Sequence, residues 1–297
     1  MGETSELDPV PAYDDRDGKI WLDGALVAWR DAQVHVLTHG LHYASSVFEG
    51  ERAYGGRIFE SRRHSERLHF SAREIDFEIP WSVDRIEAAK AEVLKANDLS
   101  DAYVRAVAWR GAGPEMGVAS RANPVRLAVA AWHWGNYYGD AKTKGARLDV
   151  AKWRRPAPDT APFRAKAAGL YMIATMSKHA AEAKGCSDAL MMDYRGYVAE
   201  ATGANVFFVK DGEVHTPLPD CFLDGITRRT VIGMLRDRQI AVHERHVMPD
   251  ELEGFEQCWL TGTAAEVTPV GEIGPYRFEV GAMARDIADA YEALVRA

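Results

Sequence analysis

Apolar and polar positions in the first 134 residues follow the spacings of short strands and helices. Strand-like runs flank Asp-Gly and Gly-Gly pairs, which favour tight turns, and apolar residues three or four positions apart indicate helices with one buried face. The predicted elements are a hairpin over 20–27 around Asp23-Gly24, a hairpin over 47–59 around Gly55-Gly56, a helix opened by Ser61, a helix over 83–96, and strands over 103–109 and 125–132. We expect a small α+β unit, preceded by a loosely held polar arm over 1–18.

The remainder of the chain alternates strands and helices after a segment, 135–145, whose glycines and lysines predict a linker. The predicted elements are strands over 147–153, 188–193, 197–199, 240–245 and 257–261, a hairpin over 206–216 around Asp211-Gly212, and helices over 170–184, from Thr227, and over 280–295. Gly185 is expected to end the first of these helices. The sequence therefore predicts two mixed α/β (α+β) domains, a small one over 1–134 and a larger one over 146–297.

Composition and charge narrow the classes of function. The 297 residues are 47% hydrophobic and 27% charged, with a net charge of −8. An acidic chain is a poor match for a nucleic-acid binder or a protein that binds anionic membranes. The longest apolar runs are too short for a membrane span, and the acidic start has no apolar core, so we expect no secretory signal. Three cysteines without a close pair fit a reducing compartment, and a cytoplasmic enzyme is predicted.

Most common catalytic signatures are absent, and one histidine cluster is a candidate metal site. There is no P-loop, GxSxG or HExxH pattern. The spacing of His35, His39 and His42 would allow them to bind zinc from one helix face, as in a zinc hydrolase. However, Gly40 interrupts the segment, and no cysteine or carboxylate lies within it. Polar histidines near a domain surface are the alternative.

Two glycine-containing turns of the second half indicate anion binding. In Gly225-Ile226-Thr227 a loop opens a helix, where free backbone N–H groups and the helix dipole favour a phosphate. Gly262-Thr263-Ala264-Ala265 follows a strand, and its small residues allow the backbone to approach an anion closely. Two such turns in one domain, with Glu200 upstream and a lysine in a loop, suggest a phosphate-bearing ligand.

The motifs in their order resemble the class IV (fold type IV) pyridoxal-phosphate aminotransferases, and in particular the branched-chain amino-acid branch. The matching segments are Glu200–Phe207 with Leu223–Arg228, His39–Tyr43, Val47–Gly50, Arg67-Leu68, Tyr103–Arg105, Trp134–Tyr137, Ala165–Ala167, and Gly262–Val270. The resemblance covers nearly the whole chain after residue 18. It implies pyridoxal 5′-phosphate as cofactor, a small N-terminal and a larger C-terminal domain, and at least a homodimer in which one subunit's small domain closes the other's site.

The resemblance also implies the residues that hold the cofactor. Lys166 would carry it covalently and move the proton during transamination, since a lysine amine is readily deprotonated by burial. Glu200 would keep the ring nitrogen protonated, so that the ring accepts electrons. Tyr171 would donate a hydrogen bond to the ring oxygen. The phosphate contacts would come from Arg67, Ile226, Thr227 and Thr263.

Substrate recognition follows partly from spacing and partly from the resemblance. Tyr103 and Arg105 stand two apart in a predicted strand, so both side chains point to one face. The resemblance implies that Tyr103 and the amides around Thr263-Ala264 hold the α-carboxylate, and that Arg105 meets the distal carboxylate of glutamate. The implied apolar pocket consists of Tyr43, Phe48, Trp134 and Tyr137.

The resulting prediction is exchange of an amino group between branched-chain L-amino acids and 2-oxoglutarate. Ala168, Gly169 and Leu170 stand where many branched-chain enzymes have Gly-Gly-Asn, and Arg110 is a further cation in a segment expected to be apolar or small. An alternative of the same fold is a D-amino-acid or (R)-amine aminotransferase. A zinc hydrolase and a non-catalytic oligomeric scaffold remain the alternatives of other classes.

Overall fold

The computed structural model describes residues 12–135 and 141–297. The first range contains short strands and three α-helices. In chain order these are β1 (Lys19–Leu22), β2 (Ala25–Ala28), α1 (His39–Tyr43), β3 (Ser46–Phe48), β4 (Glu51–Tyr54), β5 (Arg57–Ile58), α2 (Ser61–Glu74), α3 (Val83–Ala96), β6 (Ala102–Arg110) and β7 (Val125–His133). All the strands join one sheet in the order β2-β1-β7-β6-β4-β5, and β3 pairs with β6.

The second range contains a larger sheet and four α-helices. Its elements are α4 (Ala141–Lys144), β8 (Ala146–Val150), α5 (Met172–Glu182), β9 (Asp188–Met192), β10 (Val198–Ala201), β11 (Asn205–Lys210), β12 (Glu213–Pro217), α6 (Ile226–Asp237), β13 (Val242–Arg245), β14 (Gln257–Gly262), β15 (Glu266–Ile273), β16 (Tyr276–Arg277) and α7 (Ala282–Arg296). The sheet order is β10-β9-β8-β15-β14-β11-β12-β13, with β16 on β15. The predicted mixed α+β class is confirmed.

Local signals explain why several elements form where they do. The Ser82 hydroxyl accepts a hydrogen bond from the amide of Arg85, 3.2 Å away, and so caps α3. One face of that helix, which includes Ile86 and Val93, is buried against the first sheet. The helix bounds 83–96 agree with the prediction. Gly185 has a left-handed φ of +73° just beyond the end of α5.

Several boundaries differ from the predictions. The strand expected over 147–153 ends at Val150, and the helix expected over 170–184 begins as a 3₁₀ turn at 168–171. The described part of the polar arm is fastened to the 3₁₀ turn Trp29–Asp31 that follows β2, because Trp29 Nε1 donates to the Tyr13 carbonyl over 2.6 Å. Arg30 also contacts Asp15 at 2.6 Å.

The strands divide between the two sheets at one place in the chain. Every strand up to His133 belongs to the first sheet, and every strand from Ala146 belongs to the second. Part of the predicted linker 135–145 lies outside the described residues, and α4 occupies its last part. The domain bounds 1–134 and 146–297 therefore stay a prediction. In the described ranges, none of the helices combines the length and apolar character that crossing a bilayer requires.

Candidate active site

Lys166 points into a cavity between the two sheets because its neighbours are buried elsewhere. Ala165 and Ala167 belong to the core of the first sheet, so the lysine between them faces the opposite way. Its carbonyl accepts the amide of Phe48 at 3.1 Å, and its amide donates to Ser71 Oγ at 3.0 Å. The backbone is thus fixed by β3 and α2. Lys166 Nζ lies 2.7 Å from the Tyr171 hydroxyl.

Glu200 is the buried acid of this cavity. A register shift between Val198 and Glu200 indicates a bulge in the pairing of β10 with β9, and such irregularities re-aim side chains. Arg155 contacts one carboxylate oxygen at 2.9 Å, and the Asn205 amide donates to the other at 3.0 Å. Burial raises the pKa of Glu200 to about 7, although Arg155 and Lys166 favour the ionised form.

Arg67 is held by a buried ion-pair cluster. It lies one turn after His64 on α2, and both side chains contact Glu49. Arg67 donates two hydrogen bonds to the carboxylate, at 2.7 and 2.8 Å, and His64 Nδ1 lies 2.6 Å from it. Burial raises the pKa of Glu49, but Arg67 and His64 outweigh that effect and hold it well below its usual range. The guanidinium is therefore a fixed cation at the cavity wall.

All seven residues predicted to hold the cofactor line one cavity, which we call the inner cavity. They are Arg67, Lys166, Tyr171, Glu200, Ile226, Thr227 and Thr263. Ile226 and Thr227 begin α6, whose first N–H groups have no partner within the helix. Thr263 follows the end of β14. The structure thus brings together residues from distant parts of the sequence.

The donors in the inner cavity suit an anionic ring compound. The buried hydroxyl of Thr261 lines the cavity and has no hydrogen-bond partner among the described residues, which is costly unless a ligand supplies one. Cationic and hydroxyl donors of the wall suit a phosphate, and Glu200 suits a protonated ring nitrogen. The residues present therefore fit pyridoxal phosphate, whose imine chemistry needs a lysine such as Lys166.

A second cavity, the outer cavity, adjoins the first and has a volume of about 520 Å³. The two share Lys166 and Tyr171. Of the residues predicted to bind substrate, the outer cavity is lined by Phe48, Tyr103, Arg105, Trp134 and Ala264, whereas Thr263 lines the inner cavity. Aromatic side chains form much of the wall, which suits an apolar side chain; they are Tyr13, Phe48, Tyr103, Trp132, Trp134 and Tyr171.

Tyr103 and Arg105 lie on one face of β6, as their spacing predicts. The guanidinium of Arg105 donates to the Tyr103 hydroxyl at 2.9 Å and lies 4.6 Å from the centre of the Phe48 ring. A β-carbon on Gly50 would overlap the Tyr103 hydroxyl, so only glycine leaves room for the phenol there. The cation thus stands beside an aromatic surface inside the outer cavity.

Of the remaining residues predicted to bind substrate, Tyr43 does not reach the cavities of its own chain. Tyr43 is 46% exposed on α1, and its hydroxyl contacts the Met116 carbonyl at 3.3 Å. It lines neither the inner nor the outer cavity. Tyr137 lies outside the described residues.

The three candidate zinc-binding histidines do not form a metal site in the described part of the chain, where they are absent from every group suited to holding an ion. Each has its own local partner. His39 Nδ1 lies 2.7 Å from Ser45 Oγ, His42 Nε2 lies 2.8 Å from the Val36 carbonyl, and His35 Nδ1 accepts the amide of Leu37 at 3.1 Å. These contacts give the zinc hydrolase alternative no support.

The two departures from the branched-chain pattern have structural roles. Arg110 is buried, donates to the carbonyls of Asp76 and Ser120, and lies 5.6 Å from the centre of the Phe77 ring. It therefore fastens a loop. Leu170 packs on the core of the first sheet from the 3₁₀ turn that precedes α5.

Sequence reasoning missed several residues of the walls. They are Arg155, Asn205 and Thr261 in the inner cavity, and Tyr13 and Trp132 in the outer one. Asn205 lies within the matching segment Glu200–Phe207, so the motif could have indicated it as a residue of the site. Arg155 follows Lys152 and Arg154, and the local pattern does not distinguish the buried cation from the exposed ones.

Comparison with known proteins identifies relatives across nearly the whole chain. The family model "Amino-transferase class IV" matches residues 46–273. The "Branched-chain-amino-acid aminotransferase" of Pseudomonas aeruginosa is 39% identical over 272 residues, which cover 90% of this chain and 88% of that protein.

Two solved structures share the fold closely. The branched-chain amino acid aminotransferase of Escherichia coli has a TM-score of 0.91 at 34% identity, covering 94% of this chain and 95% of that one. The branched-chain aminotransferase of the thermophilic archaeon Thermoproteus uzoniensis, solved with norvaline, has a TM-score of 0.89 at 36% identity, with 94% of each chain covered. These similarities agree with the fold type predicted from the motifs.

Proposed function

The chain belongs to the class IV aminotransferases, and on that premise we propose that it is a branched-chain amino-acid aminotransferase dependent on pyridoxal phosphate. It transfers the amino group between leucine, isoleucine or valine and 2-oxoglutarate in two alternating half-reactions. The observation that carries the proposal is one continuous site. An inner cavity with Lys166, Glu200 and Arg67 joins an aromatic outer cavity that contains Arg105.

Pyridoxal phosphate, when bound, would supply the electron-accepting ring that transamination requires. Lys166 holds the cofactor and carries the proton to and from the substrate α-carbon. Its neighbour Tyr171 orients the ring oxygen. Glu200 keeps the ring nitrogen protonated, and Arg155 and Asn205 orient its carboxylate. Arg67, Ile226, Thr227 and Thr263 bind the phosphate.

The outer cavity binds the two kinds of substrate in turn. Tyr103 and the loop at Thr263-Ala264 hold the α-carboxylate that both substrates share. Phe48 and Trp134 contact the branched side chain, and Tyr137 is expected to contribute. Arg105 pairs with the distal carboxylate of glutamate, since burying that charge without a partner is costly.

We also propose that the protein acts as a cytoplasmic homodimer, or a larger homo-oligomer, in which Tyr43 contributes to the site of the neighbouring subunit. The segment around Tyr43 exposes several apolar side chains that a second subunit would cover. They are Val34, Val36, Leu37, Leu41 and Val118. We further propose that residues 1–134 and 146–297 are separate domains, because each strand set forms its own sheet.

The proposal is tested by profiling amino donors with 2-oxoglutarate as acceptor. Leucine, isoleucine and valine should be consumed with formation of L-glutamate, and the purified protein should show a visible absorption band that borohydride removes. A D-amino-acid or (R)-amine aminotransferase would show the same band with a different donor range. A colourless protein without transaminase activity would refute the proposal.

A further inference from the structure

Glu266 adopts a backbone conformation that is unusual for its residue type. It follows the loop 263–265, which connects β14 to β15, and it pairs with Gly262 across the hairpin. Its φ is +53°. Glycine is favoured in this left-handed region, because a β-carbon is sterically disfavoured there. The glutamate side chain must therefore offset the backbone preference.

That side chain is held by two residues of the first sheet. One carboxylate oxygen of Glu266 accepts the Tyr54 hydroxyl at 2.7 Å and contacts Arg52 at 3.2 Å, and all three residues are buried. Arg52 and Tyr54 alternate along β4 and so share one face. The Tyr54 ring packs into a core formed mainly by the second sheet, including Trp259.

The contacts connect the loop to the sheet that also holds the lysine. The backbone of Lys166 is bonded to β3 and α2, and Arg52 and Tyr54 belong to the neighbouring strand β4 of the same sheet. On the other side of the loop, the Thr268 hydroxyl donates to the Ala265 carbonyl at 2.6 Å. The loop is therefore fixed relative to Lys166.

We propose that Arg52, Tyr54 and Glu266 form a clamp that positions the 263–265 loop for binding the substrate α-carboxylate and the cofactor phosphate. All three are positioning residues, since they act through Thr263 and Ala264. The inference rests on the proposed function for those two loop residues. It explains why a glutamate occupies a position that favours glycine.

Two variants test the clamp from opposite sides. Tyr54→Phe removes the hydroxyl and keeps the ring, and Glu266→Gly removes the carboxylate and relieves the backbone. Because leucine and 2-oxoglutarate share an α-carboxylate, both KM values should rise together by about tenfold, as expected for one misaligned hydrogen bond to a charge. The kcat values should change by less than about threefold if the loop acts chiefly in binding.

Binding and exchange give readouts that need no turnover. The affinity of the cofactor-free chain for pyridoxamine phosphate, followed by fluorescence, should fall several-fold in both variants. Backbone amides of residues 263–266 should exchange hydrogen for deuterium faster than in the unchanged protein, because fewer contacts hold the loop.

Asp211→Gly is the matched control. Asp211 also has a left-handed φ, +52°, at a hairpin turn, but it is exposed and lies between β11 and β12. The substitution relieves the same kind of backbone conformation without touching the clamp. KM, cofactor affinity and loop exchange should all stay unchanged in this variant.

The clamp is wrong if Tyr54→Phe and Glu266→Gly leave both KM values, cofactor affinity and loop exchange within twofold of the unchanged protein. It is also wrong if only one substrate's KM rises. If Glu266→Gly does not fold, Tyr54→Phe decides alone. If the protein without any substitution has no transaminase activity, the proposed function is refuted instead. Hydrogen–deuterium exchange of residues 263–266 would still test the clamp in that case.

Discussion

Replacing Arg105 by alanine is expected to separate the two half-reactions of the proposed enzyme. The outer cavity must accept an apolar side chain in one half-reaction and a carboxylate in the other. Among the residues shown to line this cavity, Arg105 is a cation that already lies against Phe48 and the Tyr103 hydroxyl. It can remain on the aromatic surface beside leucine and pair with the distal carboxylate of glutamate.

The size of the effect follows from the burial of Arg105. The side chain is only partly buried, so the lost interaction is nearer to a charge-assisted hydrogen bond, about 1.5–3 kcal/mol, than to a fully buried ion pair. At about 1.4 kcal/mol per tenfold, kcat/KM for glutamate and 2-oxoglutarate should fall roughly 10- to 150-fold. The values for leucine should fall less than about threefold, because no charge is buried with it.

Single-turnover absorbance of the bound cofactor, recorded separately with leucine and with glutamate, measures each half-reaction. Tyr103→Phe is the comparison variant, since it removes a group proposed to hold the α-carboxylate, and it should slow both half-reactions alike. Equal losses in Arg105→Ala would show that Arg105 only supports Tyr103 through their 2.9 Å hydrogen bond. That result would refute dual recognition by Arg105.

Three further substitutions test two residues of the inner cavity and the buried acid that holds Arg67 at its wall. Lys166→Ala should lower turnover at least about 10²- to 10⁴-fold, because the proton carrier is lost, and borohydride should then leave no covalent adduct by mass spectrometry; full activity would contradict the assignment. Glu200 has a raised pKa of about 7, so its ionisation alone should remove about 3 kcal/mol of unfolding free energy from the cofactor-free protein as pH rises from about 4.5 to 7. Buried Glu51 also has a raised pKa, so the test is the difference: the unfolding free energy of Glu200→Gln should fall less steeply over this range in denaturant titrations, and parallel pH profiles would contradict the raised pKa of Glu200. Glu49→Gln should reduce the unfolding free energy by about 3–5 kcal/mol, because Arg67 and His64 lose their buried partner, and a loss under about 1 kcal/mol in urea titrations would contradict this reasoning.

Elements with strong local signals were predicted well from the sequence. The hairpins at Asp23-Gly24 and Asp211-Gly212 form where predicted, since these pairs favour left-handed turn positions. Strand β15 was missed, partly because Pro269 argues against a central strand. Pairing of β15 with β8 begins only at Val270, so Pro269 pairs with β14 alone. Proline is tolerated there because no bond to β8 is required.

The sequence predicted most residues of the site but not the residues that orient them. Lys166 and Glu200 lie in motifs that the sequence displays, whereas their orientation depends on groups distant in sequence. Arg155 contacts Glu200 across 45 positions of chain, and Ser71 fixes the lysine backbone from α2. Local periodicity carries no information on such contacts, because they join segments that are far apart in the sequence and meet only in the folded chain.

Because the site lies between the two sheets, the residues that orient its side chains also determine its geometry. Lys166 is bonded through its backbone to the first sheet, whereas Glu200 and Thr227 belong to strands and helices of the second. Their mutual geometry therefore depends on contacts that cross between the sheets. The buried bonds from Tyr54 and Arg52 to Glu266 are such contacts. A substitution there should alter binding without removing any group that touches the substrate, whereas a substitution of Lys166 should remove the chemistry and leave the fold intact.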